Sequence, residues 1–203
     1  MSPLLKGLVV GFSIAAPVGP IGVLCIRRSL AQGPATGLAT GLGAATADAL
    51  YGAVAAFGLT AVSSFLIRLE FWLSLLGGLF LCWLGARTFL AAPAAPGESD
   101  GARSRLAAWS STVGLTLSNP ATILSFVAIF AGFGLGAYAS YWAASAMVLG
   151  VFAGSGLWWL LLSSAAGGLR ARIGPQQMRW INRGSGLILL AFGIMAVTRA
   201  FLA

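Results

Sequence analysis

The chain has 203 residues, of which 59% are hydrophobic and only 8% are charged. A soluble domain has roughly 25% charged residues, so this composition excludes a surface that faces water everywhere. The net charge of +8 could indicate a nucleic-acid partner, but the basic residues form short clusters between apolar stretches. That arrangement is typical of membrane-protein loops. We therefore predict an all-α polytopic membrane protein that has the lipid bilayer, and no nucleic acid, as its partner.

Six stretches are long and apolar enough to cross a bilayer, which takes about 20 residues each. In chain order they are residues 4–26, 35–61, 70–90, 108–131, 140–166 and 180–201. The first is uncharged from Gly7 to Ile26 and has no evident cleavage site, so we interpret it as a span and not as a signal peptide. The predicted domains are a three-helix repeat at 1–90, a cytoplasmic linker loop at 91–107 and a second repeat at 108–203.

Lysine and arginine are unequally divided between the two sides of this six-helix arrangement. Loops one, three and five carry nine arginines: Arg27, Arg28, Arg87, Arg103, Arg105, Arg170, Arg172, Arg179 and Arg183. The opposite side carries Lys6, Arg68 and Arg199. Because cytoplasmic loops collect positive charge, we expect these odd loops in the cytoplasm and both termini outside.

The two halves of the chain resemble each other. Val10-Gly-Phe-Ser-Ile-Ala-Ala-Pro17 aligns without gaps with Val113-Gly-Leu-Thr-Leu-Ser-Asn-Pro120. Two further alignments follow in the same order: Trp72, Gly78, Leu79, Leu81 and Gly85 with Trp180, Gly186, Leu187, Leu189 and Gly193, and Gly43, Ala47, Asp48 and Tyr51 with Gly150, Gly154, Ser155 and Trp158. Three helices per half give the halves opposite orientations, so the pattern predicts an inverted repeat.

Asp48 is the acidic residue that falls deep in a predicted span. Such a carboxyl costs about 2.5–3.5 kcal/mol to insert and normally faces a cavity or a partner. No lysine or arginine is expected at its depth, so a proton and a substrate ammonium group would compete for it. This is the simplest chemistry for an antiporter. Tyr51, one helical turn away, is placed to hydrogen-bond Asp48, to stack on a substrate or simply to pack.

Prolines interrupt the predicted spans at matching places in the two halves. Pro17 and Pro20 lie in Ala-Pro-Val-Gly-Pro around Gly19, and Pro120 follows Asn119. Broken helices in corresponding positions are a pointer to a transporter's substrate site, and a helix N-terminus there attracts a carboxylate. Together with Asp48 this favours a zwitterionic or cationic amino acid, although a simple kink is the alternative. Polar groups at the same depth are Ser13, Thr116, Ser118 and Asn119, with Ser155 aligned to Asp48. Trp158 is a candidate cavity wall, with lipid-facing packing as the alternative.

Several motifs resemble the LysE family of amino-acid exporters. They are Ala16-Pro-Val-Gly-Pro20, the glycines at 33, 37, 41, 43 and 58, and Asp48 followed by Tyr51. The resemblance implies amino-acid efflux driven by the proton motive force across a bacterial inner membrane, with lysine, arginine or small neutral amino acids as substrates. Many relatives continue the helix-four motif as Asn-Pro-Lys, whereas this chain has Ala121 after Asn119 and Pro120.

We therefore expect a secondary transporter and not an enzyme, with no cofactor, metal or catalytic residue. A homodimer is one assembly that the sequence leaves open. A divalent-metal exporter of the wider superfamily is one alternative, but a single intramembrane carboxylate offers too few oxygen ligands. A thiol-disulfide carrier is another, but Cys25 and Cys82 do not occupy matched positions of the two halves, and the chain has no histidine.

Overall fold

The computed structural model describes residues 1–17, 19–57, 69–92, 101–119, 122, 126 and 140–202. These residues form helices and short connections, with no strand among them. The helices are α1 (Pro3–Ala15), α2 (Pro20–Gln32), α3 (Pro34–Ala56), α4 (Glu70–Leu90), α5 (Gly101–Leu117), α6 (Tyr141–Leu169) and α7 (Pro175–Leu202), and a 3-10 turn (Arg170–Arg172) follows α6. The predicted all-α class is therefore confirmed.

Three described helical stretches are long and apolar enough to cross a membrane: Phe71–Leu90, Tyr141–Arg172 and Pro175–Leu202. Helices α1 and α2 would add a fourth crossing if they form one broken span. Helix α3 has 23 residues but is rich in glycine, alanine and threonine, and is not among them. Large apolar side chains on the outer faces are exposed, among them Leu76, Leu149 and Ile194. The chain is thus a multi-pass membrane protein with several apolar helices, and six spans stay a prediction.

The first predicted span, 4–26, is two helices instead of one. Helix α1 ends at Ala15, α2 begins at Pro20, and the two are bent by 81°. Proline has no N–H to donate and a fixed φ, which suits the first position of a helix and disrupts its interior. Pro3, Pro34 and Pro175 likewise begin α1, α3 and α7. The predicted interruption at Pro17 and Pro20 is therefore a complete break.

Two further boundaries differ from the expectation. Helix α5 begins at Gly101, inside the stretch 91–107 that we predicted as a linker loop. The turn between α2 and α3 is the single residue Gly33, whose φ of 100° lies in the left-handed region that favours glycine. A Cβ there would also lie 3.1 Å from the guanidinium of Arg170.

Close helix contacts depend on glycine. Where α1 crosses α6, a Cβ on Gly11 would collide with the Val151 carbonyl, and a Cβ on Gly154 would collide with the Leu8 carbonyl. In α3, Gly41 leaves room for the Trp159 side chain of α6. Small residues let membrane helices approach until their backbones touch. These contacts place α6 against both α1 and α3.

The end of α2 is held by a half-buried arginine. Arg28 Nη1 donates to Thr40 Oγ1 at 3.1 Å, to the Ala108 carbonyl at 3.2 Å and to Thr112 Oγ1 at 3.3 Å. Its Nη2 donates to Ser111 Oγ at 3.2 Å. One guanidinium therefore ties the C-terminal part of α2 to both α3 and α5.

Candidate functional site

A cavity of about 90 Å³ lies where the break between α1 and α2 meets α3, α5 and α6. It is lined by Ile14, Ala15, Pro17, Gly19, Pro20, Ile21, Gly22, Ala44, Asp48, Thr116, Asn119, Thr122 and Trp159. Six of the residues predicted from the sequence line this cavity: Pro17, Gly19, Pro20, Asp48, Thr116 and Asn119. A seventh, Ser155, is connected to it through a hydrogen bond to Asp48.

Asp48 provides the acidic group of the cavity. It is 3% exposed, and its Oδ2 accepts a hydrogen bond of 2.7 Å from Ser155 Oγ on α6. Ser155 Oγ in turn accepts from Trp159 Nε1 at 3.1 Å. The two donors form a chain, Trp159 to Ser155 to Asp48, that fixes the carboxyl orientation across the α3–α6 contact. The alignment of Asp48 with Ser155 thus pairs two residues that touch.

The N-terminus of α2 provides the opposite electrostatic character. Its N-cap is Gly19, which has no side chain that could cap the helix, and Pro20 at the first position has no N–H. The first intrahelical bond is the one from Val23 N to the Gly19 carbonyl at 3.1 Å. The N–H groups of Ile21 and Gly22 therefore have no partner within the helix, and both residues line the cavity. Such a helix end attracts negative charge.

Thr116 adds a hydroxyl group to the same cavity. Its side chain is 1% exposed, and its Oγ1 has no hydrogen-bond partner within the ranges the structure describes. Buried hydroxyl groups are normally paired, so an unpaired one that lines a cavity indicates a ligand position. Asn119 and Thr122 follow on the same wall, where Thr122 N donates to the Asn119 carbonyl at 3.0 Å.

The other predicted site residues lie elsewhere. Tyr51 is buried, but its hydroxyl donates to the Leu117 carbonyl at 2.7 Å and its ring packs on Phe126, so it braces α3 against α5. Ser13 is exposed, and Ser118 packs against Gly77 of α4. Trp158 makes an edge contact with Phe12, with ring centroids 5.5 Å apart, and does not line the cavity. Pro120 lies outside the described residues.

Trp159 occupies the place that the sequence reasoning gave to Trp158. It is 4% exposed, lines the cavity and donates to Ser155, four residues earlier on α6. Consecutive residues of an α-helix are rotated by about 100°, so a one-residue error turns a side chain to another face. The i, i+4 spacing from Ser155 was a signal that would have found it.

The described residues form no site for either of the two alternative chemistries. Within the described ranges, no three His, Cys, Asp or Glu side chains come together as a metal site. Cys25 is buried and directs its thiol to the Gly37 carbonyl at 3.4 Å, whereas Cys82 lies against Gly193, and both are free thiols.

Comparisons with known proteins agree with the membrane character of the fold. Residues 12–200 match the family described as "LysE: LysE type translocator". The chain is 29% identical over 200 residues to "Putative amino acid efflux protein YcgF" of Bacillus subtilis (strain 168), which covers 95% of this chain and 94% of that protein.

It is also 30% identical over 178 residues to "Uncharacterized membrane protein YahN" of Escherichia coli (strain K12), covering 85% of this chain and 78% of that protein. No solved structure matches the chain. The family match spans almost the whole sequence, and family members are transporters, consistent with the expectation of a protein that is not an enzyme. The chain belongs to the LysE type translocator family.

Proposed function

We propose that this protein exports an amino acid across the bacterial inner membrane by proton antiport. The observation that carries the proposal is one cavity in which a buried carboxyl group, Asp48, and the uncapped N-terminus of α2 both take part. The cavity lies at a helix break, where transporters place their substrate sites. The similarity to a protein named as an amino acid efflux protein supports the same direction of transport.

The two ends of an amino acid match the two kinds of group in the cavity. Its ammonium group would bind Asp48, where it would replace the proton. Its carboxylate would accept hydrogen bonds from the Ile21 and Gly22 N–H groups and from the Thr116 hydroxyl. The helix end and the hydroxyl group do not change their protonation, so the carboxylate subsite is the same throughout transport. Only Asp48 alternates, between a bound proton and a bound ammonium group.

The size of the cavity bears on which amino acids bind. Its volume of about 90 Å³ lies well below the range of about 300–1,000 Å³ that is usual for small-molecule sites. Trp159 and Ile14 are among the large apolar side chains that line it. This conformation therefore favours a small neutral amino acid over lysine or arginine.

In our proposal, proton coupling follows because Asp48 binds either a proton or the ammonium group of the substrate, but not both at once. A carboxylate buried at 3% exposure needs a counter-charge or a proton, and the described residues lining the cavity include no lysine or arginine. Asp48 would therefore hold the ammonium group on the way out and a proton on the way back. Ser155 keeps the carboxyl group in place in both states through its hydrogen bond.

We also propose that the halves are inverted repeats that rock to give alternating access. Two contacts between α4 and α7 support this. A Cβ on Gly85 would meet the Gly186 carbonyl at 2.9 Å, and one on Gly193 would meet the Gly78 carbonyl at 2.8 Å. The sequence alignment pairs Gly78 with Gly186 and Gly85 with Gly193. Replacing each glycine by its aligned partner therefore turns the first contact into the second. Asp48 and Ser155 are likewise aligned and in contact.

The membrane orientation belongs to the same proposal. The arginines of loops one, three and five would lie in the cytoplasm, with both termini outside, according to the unequal distribution of positive charge. Export would then begin with the cavity open towards the arginine-rich end. A homodimer remains a prediction.

The proposal is tested by counterflow in liposomes that contain the purified protein, with a panel of labelled amino acids at two pH values. We expect exchange of small neutral amino acids, and it should be faster at the higher pH, at which Asp48 is more often deprotonated. The Asp48→Asn variant should show no exchange. Asparagine retains the shape and can accept the Ser155 hydrogen bond, so this variant should still reach the membrane. Exchange at the wild-type rate in Asp48→Asn would reject the proposed role of Asp48, and exchange of no amino acid at all would reject the substrate class.

A further inference from the structure

A second and larger pocket lies at the arginine-rich end of the α4–α7 pair, away from the Asp48 cavity. Its volume is about 320 Å³, and it is lined by Phe89, Leu90, Ala91, Ala92, Arg179 and Arg183. The first four residues are the end of α4 and the chain that follows it, and the two arginines belong to the start of α7. This volume is within the usual range for small-ligand sites.

The two arginines in the pocket are unneutralised. They are four residues apart on α7 and therefore share one face of the helix. Both are exposed, and neither has a carboxylate partner in the described part of the chain. The guanidinium of Arg183 lies beside the Trp180 ring, 5.9 Å from its centroid. Two cations are thus presented to the same pocket.

The wall of the pocket is a built structure. Asn182, on the turn between the two arginines, is 2% exposed and donates from Nδ2 to the Ala91 carbonyl at 3.2 Å. Its Oδ1 accepts from Arg27 Nε at 3.1 Å, which adds the α2 helix to the same junction. Hydrogen bonds of the buried Asn182 therefore fix the separation of the α4 end from the two arginines.

Positive charge dominates this whole end of the molecule. Arg27, Arg28, Arg87, Arg170 and Arg172 accompany the two pocket arginines there. The acids among the described residues are Asp48, in the other cavity, and Glu70, at the far end of α4, about 30 Å away for a helix of that length. A cluster of this kind next to a membrane attracts anionic lipid.

The surroundings of the pocket match the boundary between headgroups and acyl chains. Leu90 and Leu187 are exposed beside it, at 80% and 57%. Trp180 lies between Arg179 and Arg183 in the sequence and is 64% exposed. Its amphipathic ring is typical of the membrane interface. An apolar chain would thus have a surface along α4 and α7, directly next to the two cations.

We propose that this pocket binds the headgroup phosphate of an anionic phospholipid, held by Arg179 and Arg183, with its acyl chains against α4 and α7. The lipid would bridge the last helix of the first half and the last helix of the second. It is independent of the transported substrate, because none of the pocket residues lines the Asp48 cavity.

The test titrates each of three ligands into the purified protein in detergent and monitors binding through the melting temperature of the protein. The ligands are phosphatidylglycerol, phosphatidylcholine with the same acyl chains, and inorganic phosphate. We expect phosphatidylglycerol to bind at least tenfold more tightly than the other two. Equal binding of phosphatidylcholine would overturn the role of charge, and equal binding of inorganic phosphate would overturn the lipid as the source of the anion.

Variants locate the site. Each guanidinium should contribute about fivefold in affinity, so Arg179→Gln/Arg183→Gln should weaken phosphatidylglycerol binding about 25-fold. Arg199→Gln, in the last turn of the same helix, is the matched control and should leave the affinity unchanged. If the double variant does not fold, the single variant Arg179→Gln tests the same point, and its affinity for phosphatidylglycerol should be about fivefold weaker than that of the wild type.

Equal affinities in wild type and in Arg179→Gln would overturn the proposal. A last variant concerns Glu98 and Asp100, the acids in the sequence between α4 and α5. Unchanged affinity in Glu98→Gln/Asp100→Asn supports the lipid as the occupant, whereas a gain would show that these acids fill the pocket and would overturn it.

Discussion

Replacing Thr116 with valine should change stability and transport in opposite directions. Valine has nearly the same shape as threonine but lacks the hydroxyl. In the substrate-free protein that hydroxyl is buried at 1% exposure and has no partner among the described residues. Its removal therefore relieves a desolvation penalty, and we expect the free energy of unfolding to stay the same or to rise by up to about 1 kcal/mol.

The same substitution removes one donor from the proposed carboxylate subsite. A hydrogen bond to a charged group contributes about 1.5–3 kcal/mol, which corresponds to about 10- to 150-fold in affinity. Two N–H groups of α2 would remain, so binding should weaken and not disappear. We expect the KM for the transported amino acid to rise by this factor, with a smaller change in the maximal rate.

The assay combines thermal unfolding in detergent with substrate-dependent counterflow in liposomes. Thr88→Val is the matched control. Thr88 is also 1% exposed with an unpartnered Oγ1 in the described structure, but it lies on α4 and does not line the cavity. Its replacement should have the same effect on stability and none on the KM. An unchanged KM in Thr116→Val, or an equal increase in Thr88→Val, would refute the reasoning.

Three further predictions follow from the packing. Arg28→Gln should lower the free energy of unfolding by about 2 kcal/mol or more, because four hydrogen bonds to α3 and α5 are lost, and thermal unfolding in detergent would show no loss if the network were unimportant. Gly154→Ala should lower it by about 1–3 kcal/mol through collision with the Leu8 carbonyl, whereas Gly168→Ala on the same helix, with open space around its Cα, should not. Trp159→Leu should enlarge the cavity and raise the transport of large amino acids relative to alanine, measured by competition; an unchanged ratio would contradict the assigned wall.

The sequence predicted the features that depend on a residue's intrinsic chemistry. Pro17 and Pro20 predicted the break because proline disrupts a helix interior in any surroundings. Asp48 predicted the cavity because a buried carboxyl group needs a partner. The alignment of the halves placed Ser155 in the matching position, but the hydrogen bond between the two residues was not predicted. These inferences needed no knowledge of how far each helix is rotated.

The features that depend on rotation and on distant neighbours were not predictable. Helices α3, α5 and α6 are apolar or small on several faces, so periodicity gives no direction for a single side chain. Trp158 was chosen over Trp159, and Ser118, just beyond α5, was placed in the site, for this reason. For Tyr51 the sequence left a substrate contact and simple packing both open, and only the structure shows its hydroxyl donating to the Leu117 carbonyl of α5, 66 residues away.

The most direct test of the central proposal measures proton movement in liposomes that contain a pH-sensitive dye. An outward gradient of a small neutral amino acid should drive protons inward through the wild-type protein. Asp48→Asn should move none, because the residue that exchanges the proton for the ammonium group has been neutralised. Proton movement at the wild-type rate in Asp48→Asn would contradict the account.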